Sequence, residues 1–301
     1  MKNLPGTLAG EDIEALHDMR VASRRCRAAL RIFRGCLPKR GLDIVEPSLG
    51  AVTRALGGVR DQDVFLEFLR CGNGRTPRSK PTWIIERESL IREQARVRMI
   101  ERLEELARED LPASVAGMLA RVSMTKPVSG KRRSQAFALQ ALPIVKTRLR
   151  KLRGLARSLK DAEKTTDHHL MRIAAKRLRY TLEAFAPCFG VPMAEAISAV
   201  KLLQEQLGQI HDCDVWCDKL ARYRDEPGLS PARLRVVSGL IEHLQARREQ
   251  VFAEAGHYWG ILEQHKLAAG LKKLVGPSSA RTLIRKGATK SKPSKPRPRS
   301  R

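Results

Sequence analysis

Two segments of the chain repeat a pattern of basic residues that is suited to binding anions. One begins at His17 and the other at His169, and both read His-x-x-Arg-x-x-x-basic-Arg-x-Arg. In a helix, the basic residues at the third, seventh and tenth positions after each histidine lie within an arc of about 80°. Such stacked cations repel each other by roughly a few tenths of a kcal/mol per pair. A single helix of this kind is typical of a solvated face, whereas the repetition favours an anion-binding surface.

A second pair of motifs follows the basic segments at nearly constant distance. Leu56-Gly57-x-x-Arg60-Asp61-x-Asp63 recurs as Leu207-Gly208-x-x-His211-Asp212-x-Asp214. The constant offset predicts a duplicated half-domain. The four aspartates could serve as general acids and bases or as Mg²⁺ ligands for phosphate cleavage. Because each follows a glycine that can end a helix, we instead expect helix capping and salt bridges to nearby arginines.

The composition agrees with a polyanionic partner. The net charge is +26, which attracts nucleic acid, polyphosphate, anionic membranes or acidic proteins. Aromatic residues make up only 4% of the chain, which argues against a stacking platform for single-stranded nucleic acid. The hydrophobic content of 42% suffices for a packed core. We therefore expect a globular protein with a strongly basic surface.

Signals for catalysis, metal or cofactor binding and membrane insertion are weak. The chain lacks a Gly-rich phosphate loop, the ExExK signature of triphosphate-tunnel enzymes and a nucleophilic triad pattern. Cys213 and Cys217 lie one helical turn apart near three carboxylate or imidazole groups, but the first repeat has no matching thiols. We predict reduced thiols, no metal, no cofactor and no enzymatic activity. The N-terminus has no apolar signal region and no apolar run is long enough to span a membrane, so a cytoplasmic protein is expected.

The hydrophobic periodicity predicts an all-α protein made of two antiparallel helical bundles. The expected helices are 11–36, 44–57, 61–71, 82–109, 111–122, 134–161, 167–186, 192–208, 212–225, 230–255 and 257–275. We predict a first half over 1–124, a basic linker over 125–133 and a second half over 134–275. Residues 276–301 are rich in Lys, Arg, Ser and Pro and predict a disordered cationic tail.

The paired motifs, in this order and spacing, resemble the CHAD domain, the conserved histidine α-helical domain, over about residues 10 to 265. The resemblance implies two four-helix bundles related by a pseudo-two-fold axis, with basic residues lining a central cavity or pore. It also implies binding of inorganic polyphosphate, and the family includes members found at polyphosphate granules. The implied ligand set is His17, Arg20, Arg24, Arg25, Arg27, His169, Arg172, Lys176, Arg177 and Arg179, with Arg60, His211 and Lys201 as additions from neighbouring helices.

Two departures from the family pattern stand out. Only sixteen residues precede His17, so the opening helix of the first bundle is expected to be missing or cut to a stub, unless the true start of the protein lies upstream. Glu183 occupies the position equivalent to Arg31, which predicts two unequal faces.

The leading prediction is a polyphosphate-binding protein, and the resemblance extends this prediction to localisation at polyphosphate granules. The alternatives are a histone-like nucleic-acid-binding protein that acts through the tail and a metal-dependent phosphohydrolase that uses the aspartates. Polyanion binding should favour protonated His17 and His169, so the affinity is expected to rise as the pH falls from 8 to 6.

Overall fold

A computed structural model describes residues 3–9, 13–71, 81–123, 131–186 and 191–264. All regular secondary structure in these ranges is helical, which confirms the predicted all-α class. The α-helices are α1 (Leu4–Ala9), α2 (Ile13–Ile32), α3 (Lys39–Cys71), α4 (Thr82–Arg108), α5 (Leu111–Ser123), α6 (Lys131–Leu155), α7 (Thr165–Phe185), α8 (Val191–Arg224) and α9 (Pro231–Gln264), with short 3₁₀ turns at Arg34–Cys36 and Ala156–Lys160. None of these helices is long and apolar enough to cross a membrane.

Three helices are longer than the sequence predicted. The expected breaks after Gly57 and Gly208 do not occur, and α3 and α8 run without interruption through both Asp-x-Asp motifs. The predicted break before residue 257 is likewise wrong, because α9 continues to Gln264. A glycine inside a helix costs only about 1 kcal/mol, which tertiary packing easily offsets. The prediction that Asp61 and Asp212 cap helices is therefore wrong, since both lie in helix interiors.

The second half forms a bundle of α6, α7, α8 and α9. Its core includes Leu152, Leu178, Leu203 and Val251, each essentially inaccessible to solvent. Ile32 at the end of α2 and the following Phe33 pack against this core, and the Phe33 ring meets that of Phe185 edge to face at a centroid distance of 5.7 Å. The end of α2 is thus fixed against α7.

The first half packs α1, α2, α3, α4 and α5 around smaller cores. Leu56, Val59, Met99 and Leu103 are buried between α3 and α4. Helix α1 has only six residues and packs against α2 through the same core. The expectation about the opening helix of the first bundle stays a prediction.

A further core joins the two predicted halves. It combines apolar side chains from α3 and α4 with others from α8 and α9: Phe65, Leu69, Ile84, Leu220, Tyr223, Val237, Leu240 and Leu244. Most of the predicted linker lies outside the described residues, and α6 already begins at Lys131, inside its last three residues. The predicted tail also lies outside them. That the halves arose by duplication stays a prediction of the sequence repeat.

Candidate anion-binding site

The stacked cations of the two repeats form two basic columns, Arg20, Arg24, Arg27 and Arg31 on α2 and Arg172, Lys176 and Arg179 on α7. These columns meet where α2 packs against α7. A cavity of about 580 Å³ opens beside this contact, and its walls come from α2, α3, α6 and α7. Seven cations line it: Arg24, Arg27, Arg31, Arg34, Arg148, Lys176 and Arg177. Among the described lining residues only Glu46 carries a carboxylate. We call this space the cationic cavity. Its charge imbalance is the arrangement that a polyanion would neutralise.

Lys176 is the cation most strongly affected by this crowding. Burial, together with the charges of Arg24, Arg172, Arg20 and Arg179, lowers its pKa to about 7. Desolvation disfavours the ammonium form, and like charges on both helices add to that effect. Bound phosphate oxygens would reverse both influences, since they supply negative charge and accept hydrogen bonds.

Two arginines in the same cavity are also held in unfavourable surroundings. Burial is the main cause that lowers the pKa of Arg27, and the charges of Arg31 and Arg54 lower it further. Burial likewise lowers the pKa of Arg148, which faces the charges of Arg177 and Arg31. The buried Nε of Arg27 has no hydrogen-bond partner among the described residues. An orphaned donor of this kind is suited to a ligand oxygen.

Glu46 balances only the outer end of the cationic cavity. Its carboxylate lies 3.6 Å from Nε of Arg31 and 3.1 Å from Nη1 of Arg34. Both arginines are well exposed, so these ion pairs are weak. The inner cations Arg24 and Lys176 form no ion pair with any residue in the described ranges, which leaves the interior of the cavity positive.

A second cavity of about 400 Å³ adjoins the first and shares Arg24 with it. Its lining is mixed: cations, carboxylates and apolar side chains, namely Arg20, Arg24, Gly58, Asp61, Gln62, Val64, Phe65, Arg172, His211, Asp212, Val215, Trp216 and Lys219. Nη2 of Arg20 donates to Asp61 at 2.8 Å. Burial raises the pKa of Asp212, although the nearby Arg172 opposes this shift. We call this space the mixed cavity.

His169, which begins the second basic segment, contacts His211 of the second Leu-Gly motif. Nδ1 of His169 lies 3.2 Å from Nδ1 of His211. One ring must donate a proton there and the other must accept it, so a single proton fits between them. Burial, with the charges of Arg172 and Lys176, lowers the pKa of His169. Burial and the charge of Arg172 lower the pKa of His211 to about 4.

The second aspartate of each motif serves the scaffold. Asp63 accepts a hydrogen bond from Nε of Arg92 in α4 at 2.8 Å. Asp214 accepts one from Nε of Arg248 in α9, and Nη2 of Arg248 also donates to the carbonyl oxygen of Ala162 at 2.8 Å. These contacts confirm the predicted salt bridges to nearby arginines for Asp63 and Asp214. They tie each motif to the helix that follows it.

The remaining predicted ligands lie toward the edges of the site. Glu183 approaches Nε of Arg179 at 3.2 Å and Nε of Arg25 at 3.7 Å, so it neutralises part of the second column as its position suggested. Lys201 pairs with Glu205 at 3.6 Å and is well exposed. The described linings of the two cavities do not include Lys201. They also do not include His17 or Arg60, although the charge of Arg60 acts on Arg20.

Four cations of the two linings were absent from the predicted ligand set. Arg31 stood in the first column, and Arg148 belonged to the basic run before the second repeat, so both were visible in the sequence. Arg34 follows the column directly. Lys219 gave no such signal, because it reaches the mixed cavity from α8 and is held by Glu88. A helical wheel extended over α6 and the end of α2 predicts Arg31, Arg34 and Arg148 as lining cations, but not Lys219.

No cluster of three or more metal-ligating side chains occurs in the part of the chain that the structure describes. Burial raises the pKa of the Cys213 thiol to about 12 and that of Cys217 to about 11. Thiolates, the form that binds metals, are therefore disfavoured at both positions.

Comparisons with known proteins agree with this architecture. The family model of the CHAD domain matches residues 1–221. The crystal structure of the CHAD domain from the plant Ricinus communis is similar at 24% identity, with 90% of this chain and 85% of that chain covered and a TM-score of 0.57. PptA from Streptomyces chartreusis is similar at 18% identity, with 84% and 92% covered and a TM-score of 0.59. At these identities the two structures support the fold alone. No curated protein matches the sequence.

Proposed function

The chain belongs to the CHAD domain family, and from this premise and the cationic cavity we propose that it binds inorganic polyphosphate between α2 and α7. Polyphosphate carries about one negative charge per phosphate and offers only oxygen acceptors. The cationic cavity matches this chemistry, because it presents guanidinium and ammonium donors with a single carboxylate among its described lining residues. That imbalance of charge is the observation that carries the proposal.

The physical basis is relief of repulsion that the fold itself maintains. Arg27, Arg148 and Lys176 all have lowered pKa values because burial and neighbouring cations disfavour their charged forms. A polymer with many phosphates contacts several of them at once. Release of its counterions adds affinity that falls steeply with salt concentration. Arginine forks bind phosphate oxygens in pairs, so the site favours phosphate over a diffuse anion.

Binding without catalysis is part of the proposal. Asp63 and Asp214 are occupied by Arg92 and Arg248, and Asp61 by Arg20. These ion pairs favour a scaffold role over general acid or base chemistry. Incubation of the protein with polyphosphate and Mg²⁺ should release no orthophosphate above the blank. Release that disappears in an Asp61→Asn/Asp212→Asn variant would support a phosphohydrolase instead.

The direct test is a competition titration at physiological salt. Labelled long-chain polyphosphate is bound to the full chain and challenged with equal phosphate equivalents of duplex DNA. We expect polyphosphate to win. The variant Arg27→Ala/Arg148→Ala should bind about tenfold more weakly for each arginine removed, and its salt dependence should be shallower by about one phosphate contact per residue.

A matched control separates the site from the overall charge. Arg98→Ala/Arg235→Ala removes two exposed arginines that lie outside the described linings of both cavities, so it changes the net charge equally. We expect it to bind nearly as well as the wild-type chain. If both double variants lose equal affinity, or if removal of residues 276–301 abolishes binding, the cationic cavity is not the site and the tail is the binder.

Recruitment to polyphosphate-containing granules follows from the same proposal, through the family association. A fluorescently tagged chain should colocalise with stained granules, and the Arg27→Ala/Arg148→Ala variant should stay diffuse. Granule localisation of both proteins would mean that another surface carries the targeting.

A further inference from the structure

We propose that the mixed cavity binds the nucleoside end of a nucleoside polyphosphate, whose phosphate chain extends toward the cationic cavity. The proposal rests on the proposed function, since it uses the same cations for the phosphates. It adds a ligand class with an organic group that inorganic polyphosphate lacks. The two cavities share Arg24, which places this cation at the border between them.

The carboxylates of the mixed cavity are poorly suited to inorganic polyphosphate. Asp61 is 71% exposed, and its Oδ1 accepts from Arg20. Asp212 lines the same cavity and forms no hydrogen bond or ion pair within the described ranges. A ligand with only acceptors would meet repulsion at both groups. A ligand that also carries hydroxyl or amino donors would satisfy them, and ribose and the nucleobases supply such donors.

The apolar wall of the mixed cavity points to a flat organic group. Val64, Phe65, Val215 and Trp216 line it, and Val215 is 46% exposed. The Trp216 ring is held by stacking against Phe68 at a centroid distance of 4.8 Å. Contact between exposed apolar side chains and bare phosphate gives no favourable free energy. Contact with a base or sugar is favourable, since it removes apolar surface from water.

The polar side chains of the mixed cavity offer further contacts for a nucleotide. Lys219 donates to Oε1 of Gln62 at 3.0 Å, which orients the amide. Arg24 and Arg172 line the same space and form no ion pair with a described residue, so they are available to α- and β-phosphates. Arg20 lies beside them and donates to Asp61. A volume of about 400 Å³ lies in the range of small-molecule sites. Cations, an oriented amide and apolar side chains in one cavity together match a nucleotide better than a uniform polymer.

The experiment compares ATP with inorganic tripolyphosphate by calorimetry on the full chain, in EDTA and at fixed ionic strength. The two ligands carry similar charge, and only ATP carries a nucleoside. We expect ATP to bind about tenfold more tightly than tripolyphosphate. Val215→Ser should reduce this ratio by about threefold or more, because it removes apolar contact. Val97→Ser, at a similarly exposed valine on α4, should leave the ratio unchanged.

Two further arms make the outcome decisive. Asp61→Asn should lower the ratio by improving tripolyphosphate binding, whereas Arg27→Ala should weaken both ligands. ATP should also quench the fluorescence of Trp216, and Trp216→Phe should remove that part of the signal. Tripolyphosphate binding as tight as ATP in the wild-type chain would overturn the inference. If long-chain polyphosphate still binds in that case, the proposed function stands; if ATP binds and polyphosphate does not, the proposed function alone fails.

Discussion

The sharpest consequence of the site's electrostatics is that polyphosphate binding should weaken as the pH rises from 6 to 8. Lys176 lies on α7 and has a pKa near 7 in the ligand-free protein, because it is buried among cations. It faces Arg20 and Arg24 on α2 and Arg172 and Arg179 on its own helix. Polyphosphate stabilises the ammonium form, so the bound state keeps a proton that the free state loses.

The magnitude follows from the fraction of free protein in which Lys176 is protonated. With a pKa of about 7, that fraction is about nine tenths at pH 6 and about one tenth at pH 8. The apparent affinity scales with the competent fraction. It should therefore fall about tenfold over this range, which corresponds to about 1.4 kcal/mol. The effect is fully present below the free-state pKa and is lost as the pH rises through it.

The histidines contribute in a lower pH range. Burial lowers the pKa of His169 below its usual value and brings that of His211 to about 4, so the His211 ring is neutral in the free protein above pH 6. The sequence motifs predicted that His17 and His169 would cause the pH dependence of polyphosphate binding. In the folded protein, we expect Lys176 to account for most of it between pH 6 and 8.

The assay is calorimetry at pH 6, 7 and 8 at fixed ionic strength, in buffers with different ionisation enthalpies. We expect uptake of nearly one proton per bound protein at pH 8 and much less at pH 6. Lys176→Arg keeps a charge that cannot be lost in this range, so its affinity should vary little with pH. His169→Gln is the control and should retain the dependence above pH 6. An unchanged pH profile in Lys176→Arg, or no proton uptake at pH 8, would refute the reasoning.

Two predictions concern stability. Arg27→Met should raise the free energy of unfolding of the ligand-free protein by about 1 kcal/mol, because the buried Nε of Arg27 has no partner among the described residues. The same variant should bind polyphosphate more weakly. Urea titration measures the stability and calorimetry the binding, and a lower stability would show that Arg27 supports the fold. Glu88 is fully buried and accepts hydrogen bonds from Lys219 and Tyr223. Glu88→Gln should therefore lower the free energy of unfolding in urea by about 3 kcal/mol, whereas the exposed Glu86→Gln should lower it by less than about 0.5 kcal/mol. Equal losses in the two variants would contradict the structural role of Glu88.

The basic columns could be predicted from the sequence because they depend on local periodicity alone. A helix of known pitch places Arg20, Arg24 and Arg27 on one face wherever it lies in the protein. The same reasoning gave the all-α class and the bounds of α4 and α5 to within a residue or two. The family resemblance then indicated that two such faces meet, which periodicity by itself does not require.

The rest depends on contacts between distant segments. The continuity of α3 through Gly57 reflects packing of Leu56 and Val59 in the core, which outweighs a weak local preference to break. Lys219 reaches the mixed cavity because Glu88 of α4 holds it, over a separation of 131 residues. No pattern within a short window contains that information. The core shared by the two halves likewise cannot be predicted from the sequence of either half alone.

The distribution of ion pairs separates scaffold from site within a motif that repeats almost unchanged. Arginines that face a carboxylate, such as Arg92 at Asp63 and Arg248 at Asp214, join one helix to the next. By contrast, Arg24 and Lys176 lie at the contact of α2 and α7 and form no ion pair with a described residue. A protein that gained only stability from these cations would be expected to pair or replace them, since buried like charges are unfavourable. Their unpaired state at the contact of the two columns is the physical reason to look for the anion there.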